Sequence, residues 1–297
     1  MTLAQLIQQE RLPADFTETV DRYYRPVADH VASKCARRPI VLGINGGQGT
    51  GKSTMALFLC HLLESERKLK VAVLSIDDLY LTRAARIELA ETVHPLLVTR
   101  GVPGTHDPKL GLKVIEQLMS ATPTQKIPLP RFNKAVDDRV PENQWPLFEG
   151  KADVVILEGW CVGATPQPEA ELTQPVNALE GDEDADGAWR RYVNEQLAGP
   201  YRPLFECIDA LIVLKAPGME CIREWRGEQE AKLRARLEAS AEDMGQLMDD
   251  AAIDRFIAHY QRLTQHQWQQ LPKTADAVLD LAVDHSITRI SWREVEP

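Results

Sequence analysis

The sequence predicts an α/β protein in three layers, a mostly parallel sheet between helices, and three observations carry the prediction. Compact apolar runs rich in Val and Ile recur: PIVLGING at 39–46, KVAVLSID at 70–77, ADVVILEGW at 152–160 and ALIVLKAP at 210–217, with AVLDLAVD at 277–284 a weaker fifth. They are nearly continuous rather than alternating, as strands covered on both faces are. Stretches of helical period separate them, which implies a parallel sheet crossed by helices. The third observation is a glycine-rich turn that joins the first run to the first of those helices.

Taken in order, residues 1–38 read as an N-terminal helical extension ahead of the first strand. After it, Met55, Leu59, Leu62 and Leu63, with Phe58 alongside, mark the apolar stripe of a helix opening at the glycine-rich turn. A further helix is expected at HDPKLGLKVIEQLM, where Asp107 can cap and Pro108 takes the first helical position. The Pro- and acid-rich stretch 165–187 reads as a surface excursion. The charged stretch REWRGEQEAKLRARL reads as one helix after the fourth run, and the chain is expected to form a single domain of 297 residues.

Composition narrows the function classes. An apolar fraction of 44% and a charged fraction of 26% are those of an ordinary globular chain. A net charge of −10 lacks the basic footprint that general nucleic-acid binding needs. No eighteen-residue apolar run or secretory leader is seen, so no membrane partner is expected. Five dispersed cysteines without a C-x-x-C pair suit a reducing cytoplasm better than disulfides or structural zinc. Nothing in the sequence speaks to the oligomeric state.

The most informative residues are GINGGQGTGKST. Gly46, Gly47, Gln48, Gly49, Thr50, Gly51, Lys52 and Ser53, followed by Thr54, fit G-x-x-x-x-G-K-[ST] between a strand and a helix. Glycines let successive N–H groups turn inward around phosphate oxygens, and the helix adds its N-terminal amides. Lys52 is expected on the β- and γ-phosphates of ATP, and the Ser53 hydroxyl on Mg²⁺. Glu158, closing the run VVILE, is the expected second metal residue. SIDDLYLT ends another strand in two carboxylates at the same sheet edge. Asp77 is the expected base that orients an acceptor hydroxyl, with Asp78 the alternative, although Asp78 could instead only close an Asx turn. No guanine-reading N-K-x-D follows a buried strand, which argues against a GTPase switch.

With GGQGTGKST, SIDDLYLT, RGVPGTHD, PRFNKAVDDR, ILEGW and REWRGEQE in that order, the chain resembles the plant-type D-glycerate 3-kinases and their bacterial and fungal relatives. These lie within the uridine kinase, phosphoribulokinase and pantothenate kinase superfamily of P-loop proteins. The resemblance implies a five-stranded parallel core, a helical lid at about 218–245, and transfer of phosphate from ATP to a small hydroxy acid, with D-glycerate the first choice. Pantothenate- or uridine-like alcohols are the alternatives, and a nucleotide-binding regulator that transfers nothing is a reading from another class. Asp77 falls where uridine kinases place their catalytic carboxylate.

Substrate contacts are expected from Asp78 and Tyr80, from Arg100, His106 and Asp107 in the RGVPGTHD stretch, and from Arg131 and Lys134. His106 and Asp107 could equally serve only to cap the following helix. Asn133 departs from the aromatic–Asp–Lys that relatives carry, and an amide cannot accept a proton as a carboxylate does. On the lid, Arg226 is the arginine expected to approach the transferring phosphoryl. The competing reading of Arg223, Arg226 and Lys232 is i, i+4 pairing with neighbouring glutamates.

Overall fold

The computed structural model describes residues 1–240 and 247–294. Six strands form the main sheet: β1 (Ile40–Gly46), β2 (Val71–Ser75), β3 (Val154–Gly159), β4 (Ala210–Lys215), β5 (Ala277–Leu281) and β6 (Ile287–Trp292). Their order is β6-β5-β4-β1-β3-β2. The first five strands are parallel, and only β6 runs antiparallel, beside β5. The expected core of five is therefore extended by one edge strand. β6 escaped the sequence reading because ITRISW buries only Ile287 well and carries polar residues on an exposed edge.

Successive side chains on a strand point to opposite faces, and both faces here are covered. Ile40, Leu42 and Ile44 of β1 share a core with Ile156, Ile212 and Leu214, and with Met55, Phe58, Leu59 and Leu62 of the helix Lys52–Arg67. Val41, Val155, Leu157 and Val213 face the other way, onto Val114, Ile115 and Leu118 of the helix Pro108–Ser120 and onto Tyr260 and Leu263. This two-sided burial is why the runs are continuous in Val and Ile. The N-terminal segment is mostly helical. Leu6, Val20, Tyr24, Val27 and Val31 add to the first of these cores, and Phe16 and Tyr24 pack on Phe58.

The parallel arrangement decides where chemistry can sit. β1, β2 and β3 all end at one edge, and their register sets Glu158 of β3 between Ile44 of β1 and Ser75 of β2. The phosphate loop, the Asp77–Asp78 pair and Glu158 therefore converge without any single segment having to reach across the fold.

The stretch 165–187 is less of an excursion than its composition suggests. It carries a helix, Ala178–Glu183, and buries Leu172, Leu179 and Glu180. Arg262 on the helix Asp250–Gln270 donates to both Glu180 oxygens (2.8 and 2.7 Å) and to the carbonyl of Glu171 (2.7 Å). The charged stretch expected as a lid lies in the helix Met219–Ser240, and the expected lid residues 241–245 lie outside the described residues. No helix among the described residues is long and apolar enough to cross a membrane.

Candidate active site

The loop after β1 closes as its glycines require. Gly49 (φ 79°) and Gly51 (φ 83°) sit in the left-handed region. A Cβ on Gly49 would also come within 2.6 Å of the Trp225 side chain. Thr50 turns its hydroxyl back onto the Gly47 carbonyl (2.8 Å), so its side chain shapes the loop. His285, in the turn between β5 and β6, places Nδ1 3.1 Å from the Gly49 carbonyl and stacks on Trp225. Lys52 and Ser53 open the helix that follows, at the end where its free N–H groups gather.

Ser53 donates to Glu158 Oε1 at 3.1 Å. Glu158 is buried, and its other oxygen, Oε2, has no hydrogen-bond partner among the described residues. A buried carboxylate oxygen with nothing to accept from is costly. A hydroxyl beside that oxygen, at the mouth of a phosphate loop, is a donor set that suits Mg²⁺ sharing its remaining positions with phosphate and water. Among the described residues no cluster of three or more His, Cys, Asp or Glu could bind a metal without such help.

The two aspartates after β2 have separate tasks. Ser75 caps the turn by accepting from the Asp77 N–H, so Asp78 is not needed for an Asx turn. Asp78 accepts from the Phe132 N–H and from Arg131, both at 3.1 Å, and so holds the 130s loop against the sheet edge. Burial raises its pKa, with the Phe132 and Arg131 contacts opposing. Asp77 accepts from Lys134 (2.6 Å) and from the Tyr80 hydroxyl (2.9 Å). Burial alone would raise the Asp77 pKa, but Lys134 and Lys52 outweigh it and hold the carboxyl at about 2. Asp77 is thus an ionised acceptor set between the phosphate-loop lysine and a second lysine.

The RGVPGTHD loop is fixed from beneath. Gly101 and Gly104 have φ of 146° and 103°, and a Cβ at either would strike Tyr260 or Tyr192. Trp160, just after β3, donates its indole N–H to the Gly101 carbonyl (2.9 Å), and the Tyr260 hydroxyl donates to the Arg100 carbonyl (3.3 Å). Asp107 is the helix cap, accepting from the Leu110 N–H at 3.0 Å. His106 is no cap: it lies buried, stacked on Tyr80 with ring centroids 4.4 Å apart. The two residues that the sequence left together therefore part here.

The remaining cations are all engaged. Arg100 pairs with Asp137, which also binds the buried Arg86 (2.9 Å). Arg139 donates to the carbonyl of Tyr80 (2.8 Å) and lies 3.6 Å from Asp107. Asn133 uses its Oδ1 to accept from the Ala135 N–H (3.0 Å), closing the turn between two short strands. On the helix Met219–Ser240 Arg226 pairs with Glu230, the i, i+4 partner, and lies over the Phe256 ring. Arg223 pairs with Asp254 of the following helix rather than along its own. A cavity of 1330 Å³ separates Arg226 from Arg100 and Lys134, and another of 850 Å³ flanks Gly49–Thr54. The sequence reading missed Tyr201, Trp160, Arg86 and Asp137. Only Trp160 had a local signal, its place in EGW.

No family model matches the chain. Over 230 residues it is 34% identical to a Schizosaccharomyces pombe protein described as the uncharacterized kinase mug58, covering 75% of this chain and 79% of that one. It is 32% identical over 230 residues to the chloroplastic D-glycerate 3-kinase of Arabidopsis thaliana, covering 75% of this chain and 46% of the plant protein. The chain thus spans just under half the length of that relative. Among solved structures, the D-glycerate 3-kinase of Cryptococcus neoformans superposes with a TM-score of 0.74 at 23% identity, over 91% of this chain and 99% of that one, a likeness of fold.

Proposed function

The chain belongs to the P-loop kinase family that includes D-glycerate 3-kinase, and from this premise we propose that it phosphorylates a small hydroxy acid, D-glycerate, giving 3-phosphoglycerate and ADP. One observation carries the reading beyond ATP-dependent phosphate transfer in general. An ionised carboxylate, Asp77, stands at the phosphate edge between Lys52 and Lys134. The 130s loop and the Arg100 loop bring further cations around it. A hydrolase has no use for such an acceptor pocket, and a neutral alcohol has little use for so many cations.

In the proposed reaction the acceptor hydroxyl donates to Asp77 and attacks the γ-phosphorus. The bond from that phosphorus to the β–γ bridging oxygen breaks, and the hydroxyl proton passes to Asp77 late, as suits a loose transition state. A carboxylate held near pKa 2 is a weak base. Lys134, exposed over 59% of its side chain, can turn from Asp77 to the acceptor carboxylate, which would let Asp77 regain basicity. Lys52 and a lid arginine, Arg226 by position, would stabilise charge on the transferring phosphoryl. Ser53 and Glu158 would hold Mg²⁺, which when bound neutralises phosphate charge.

An ADP-release assay over D-glycerate, L-glycerate, pantothenate and uridine tests the proposal. D-glycerate should show the highest kcat/KM. Turnover of uridine or pantothenate above that of glycerate would overturn the acceptor assignment, and acceptor-independent ADP release alone would overturn transfer itself.

A further inference from the structure

His106, expected from the sequence to touch substrate, is buried beside Asp77, and the reaction sketched above uses no atom of it. Its hydrogen bonding is unusually constrained. The Tyr201 hydroxyl accepts from the N–H groups of Gly104 (3.0 Å) and His106 (3.3 Å), which fill its two lone pairs. The same oxygen lies 2.7 Å from His106 Nδ1. With both lone pairs taken, the hydroxyl has only its proton to offer, so Nδ1 must accept and cannot itself be protonated. The ring proton therefore sits on Nε2. Burial acts in the same direction by pushing the imidazole pKa down to about 3, which keeps the ring neutral. Nε2 is closed to solvent and has no partner among the described residues.

A buried N–H donor with nothing to donate to is destabilising, and such groups are rare unless a ligand uses them. Tyr80 stacks on the ring and bonds to Asp77, and Gly104 supplies one of the hydroxyl's two donors from a backbone angle closed to other residues. Resting on the kinase reading above, we propose that His106 Nε2–H is a specificity contact that donates to an oxygen of the acceptor held at Asp77. Tyr201 is the positioning residue that fixes the required tautomer. A neutral N–H here donates to an oxygen of a carboxylate or hydroxyl and has nothing to offer an ammonium group. Lys134, which pairs with Asp77 at 2.6 Å, leaves that pair as the acceptor enters.

The tautomer is read directly by long-range ¹H–¹⁵N NMR on the full chain without ligands, with the His106 signals assigned by their loss in His106→Gln. The expected pattern is a protonated Nε2 and an unprotonated Nδ1 that do not titrate between pH 5 and 8. Protonated Nδ1, or titration near neutrality, overturns the relay whether or not the protein proves to be a glycerate kinase. The contact is read by a pair of substitutions. The Gln amide nitrogen can occupy the place of Nε2, whereas the shorter Asn reaches only the place of Nδ1. His106→Asn should lose roughly 10- to 100-fold in kcat/KM for the acceptor with the KM for ATP within about twofold, and His106→Gln should keep most of the activity. Equal losses in the two variants would reduce His106 to packing and refute the contact. Tyr201→Phe should lower acceptor kcat/KM about tenfold and shift the ring toward mixed tautomers. An unchanged tautomer in that variant would remove Tyr201 from the relay.

Discussion

Asp77→Asn is the substitution on which most of the proposed chemistry turns. The asparagine oxygen can still accept from the Tyr80 hydroxyl at 2.9 Å, so the local frame should survive. What is lost is the negative charge that Lys134 meets at 2.6 Å and the oxygen that would take the acceptor's proton. Loss of a positioned acid–base group typically costs roughly 10²–10⁴ in rate, or about 3–5 kcal/mol of barrier. A coupled ADP-release assay with saturating ATP and glycerate should therefore show kcat down by at least about a hundredfold. Acceptor-independent ATP hydrolysis should stay near wild type, because Lys52, Ser53 and Glu158 are untouched. The folded protein gives a second readout. Asp77 has its pKa depressed from 3.8 to about 2, so it contributes stability that is present above pH 3.8 and lost as pH falls through 2. That difference is worth about 2 kcal/mol, so the stability gap between wild type and Asp77→Asn should shrink by about that much between pH 5 and pH 1 in denaturant titrations. A kcat within about threefold of wild type would refute the assignment of Asp77 as the group that orients and deprotonates the acceptor.

Glu158→Gln keeps an acceptor for Ser53 but removes the charge from the orphaned Oε2, so the Mg²⁺ concentration for half-maximal rate should rise roughly 10- to 100-fold in a metal titration; an unchanged value would place the metal elsewhere. Arg226→Ala removes the partner of the buried Glu230 and the cation over the Phe256 ring, so the unliganded melting temperature should fall while kcat of the folded variant drops about 10²–10³-fold, and a normal kcat would assign the lid role to another side chain. Asn133→Asp supplies the carboxylate that the family resemblance leads one to expect, yet that oxygen is committed to the Ala135 N–H, so glycerate turnover should stay within about threefold; a large gain would mean that the turn opens during the reaction.

What the sequence made legible was what local pattern encodes. β1 to β4 announced themselves because burial on both faces demands unbroken apolar runs, and the glycine loop did so because its backbone angles leave few residue choices. Asp77 and Glu158 could be placed because parallel strands deliver their ends to one edge. β6 was hidden by its polar face, and 165–187 by an acidic composition whose critical member, Glu180, is neutralised by Arg262, a residue 82 positions away. The acceptor pocket was hidden for the same reason. Tyr201 reaches His106 across 95 residues and carries no motif of its own. Asp137 became the partner of Arg100 only through a hairpin that the sequence did not predict. Charge counting showed which residues were cationic, whereas the fold decided which acid each would meet.

That pairing bears on the acceptor itself. Arg100, Arg131, Arg139 and Lys134 each face a protein carboxylate: Asp137, Asp78, Asp107 and Asp77. A cation left unpaired in a half-buried pocket would be costly, so the unliganded site satisfies its cations internally. An acceptor must then exchange for one of these partners, and the exchange is balanced only if the acceptor also brings a negative charge. An acid can draw Lys134 from Asp77 without leaving the lysine unsatisfied, whereas a neutral alcohol would have to pull Lys134 away from Asp77 and leave both charges stranded. The argument predicts that methyl glycerate, which keeps every hydroxyl, should bind the complex with a non-hydrolysable ATP analogue roughly 10- to 100-fold more weakly than glycerate by calorimetry. Affinity for the acid should also fall as ionic strength rises, while that for the ester stays flat. An ester that binds as tightly as the acid would show that the cations hold the loops together and play no part in choosing the acceptor.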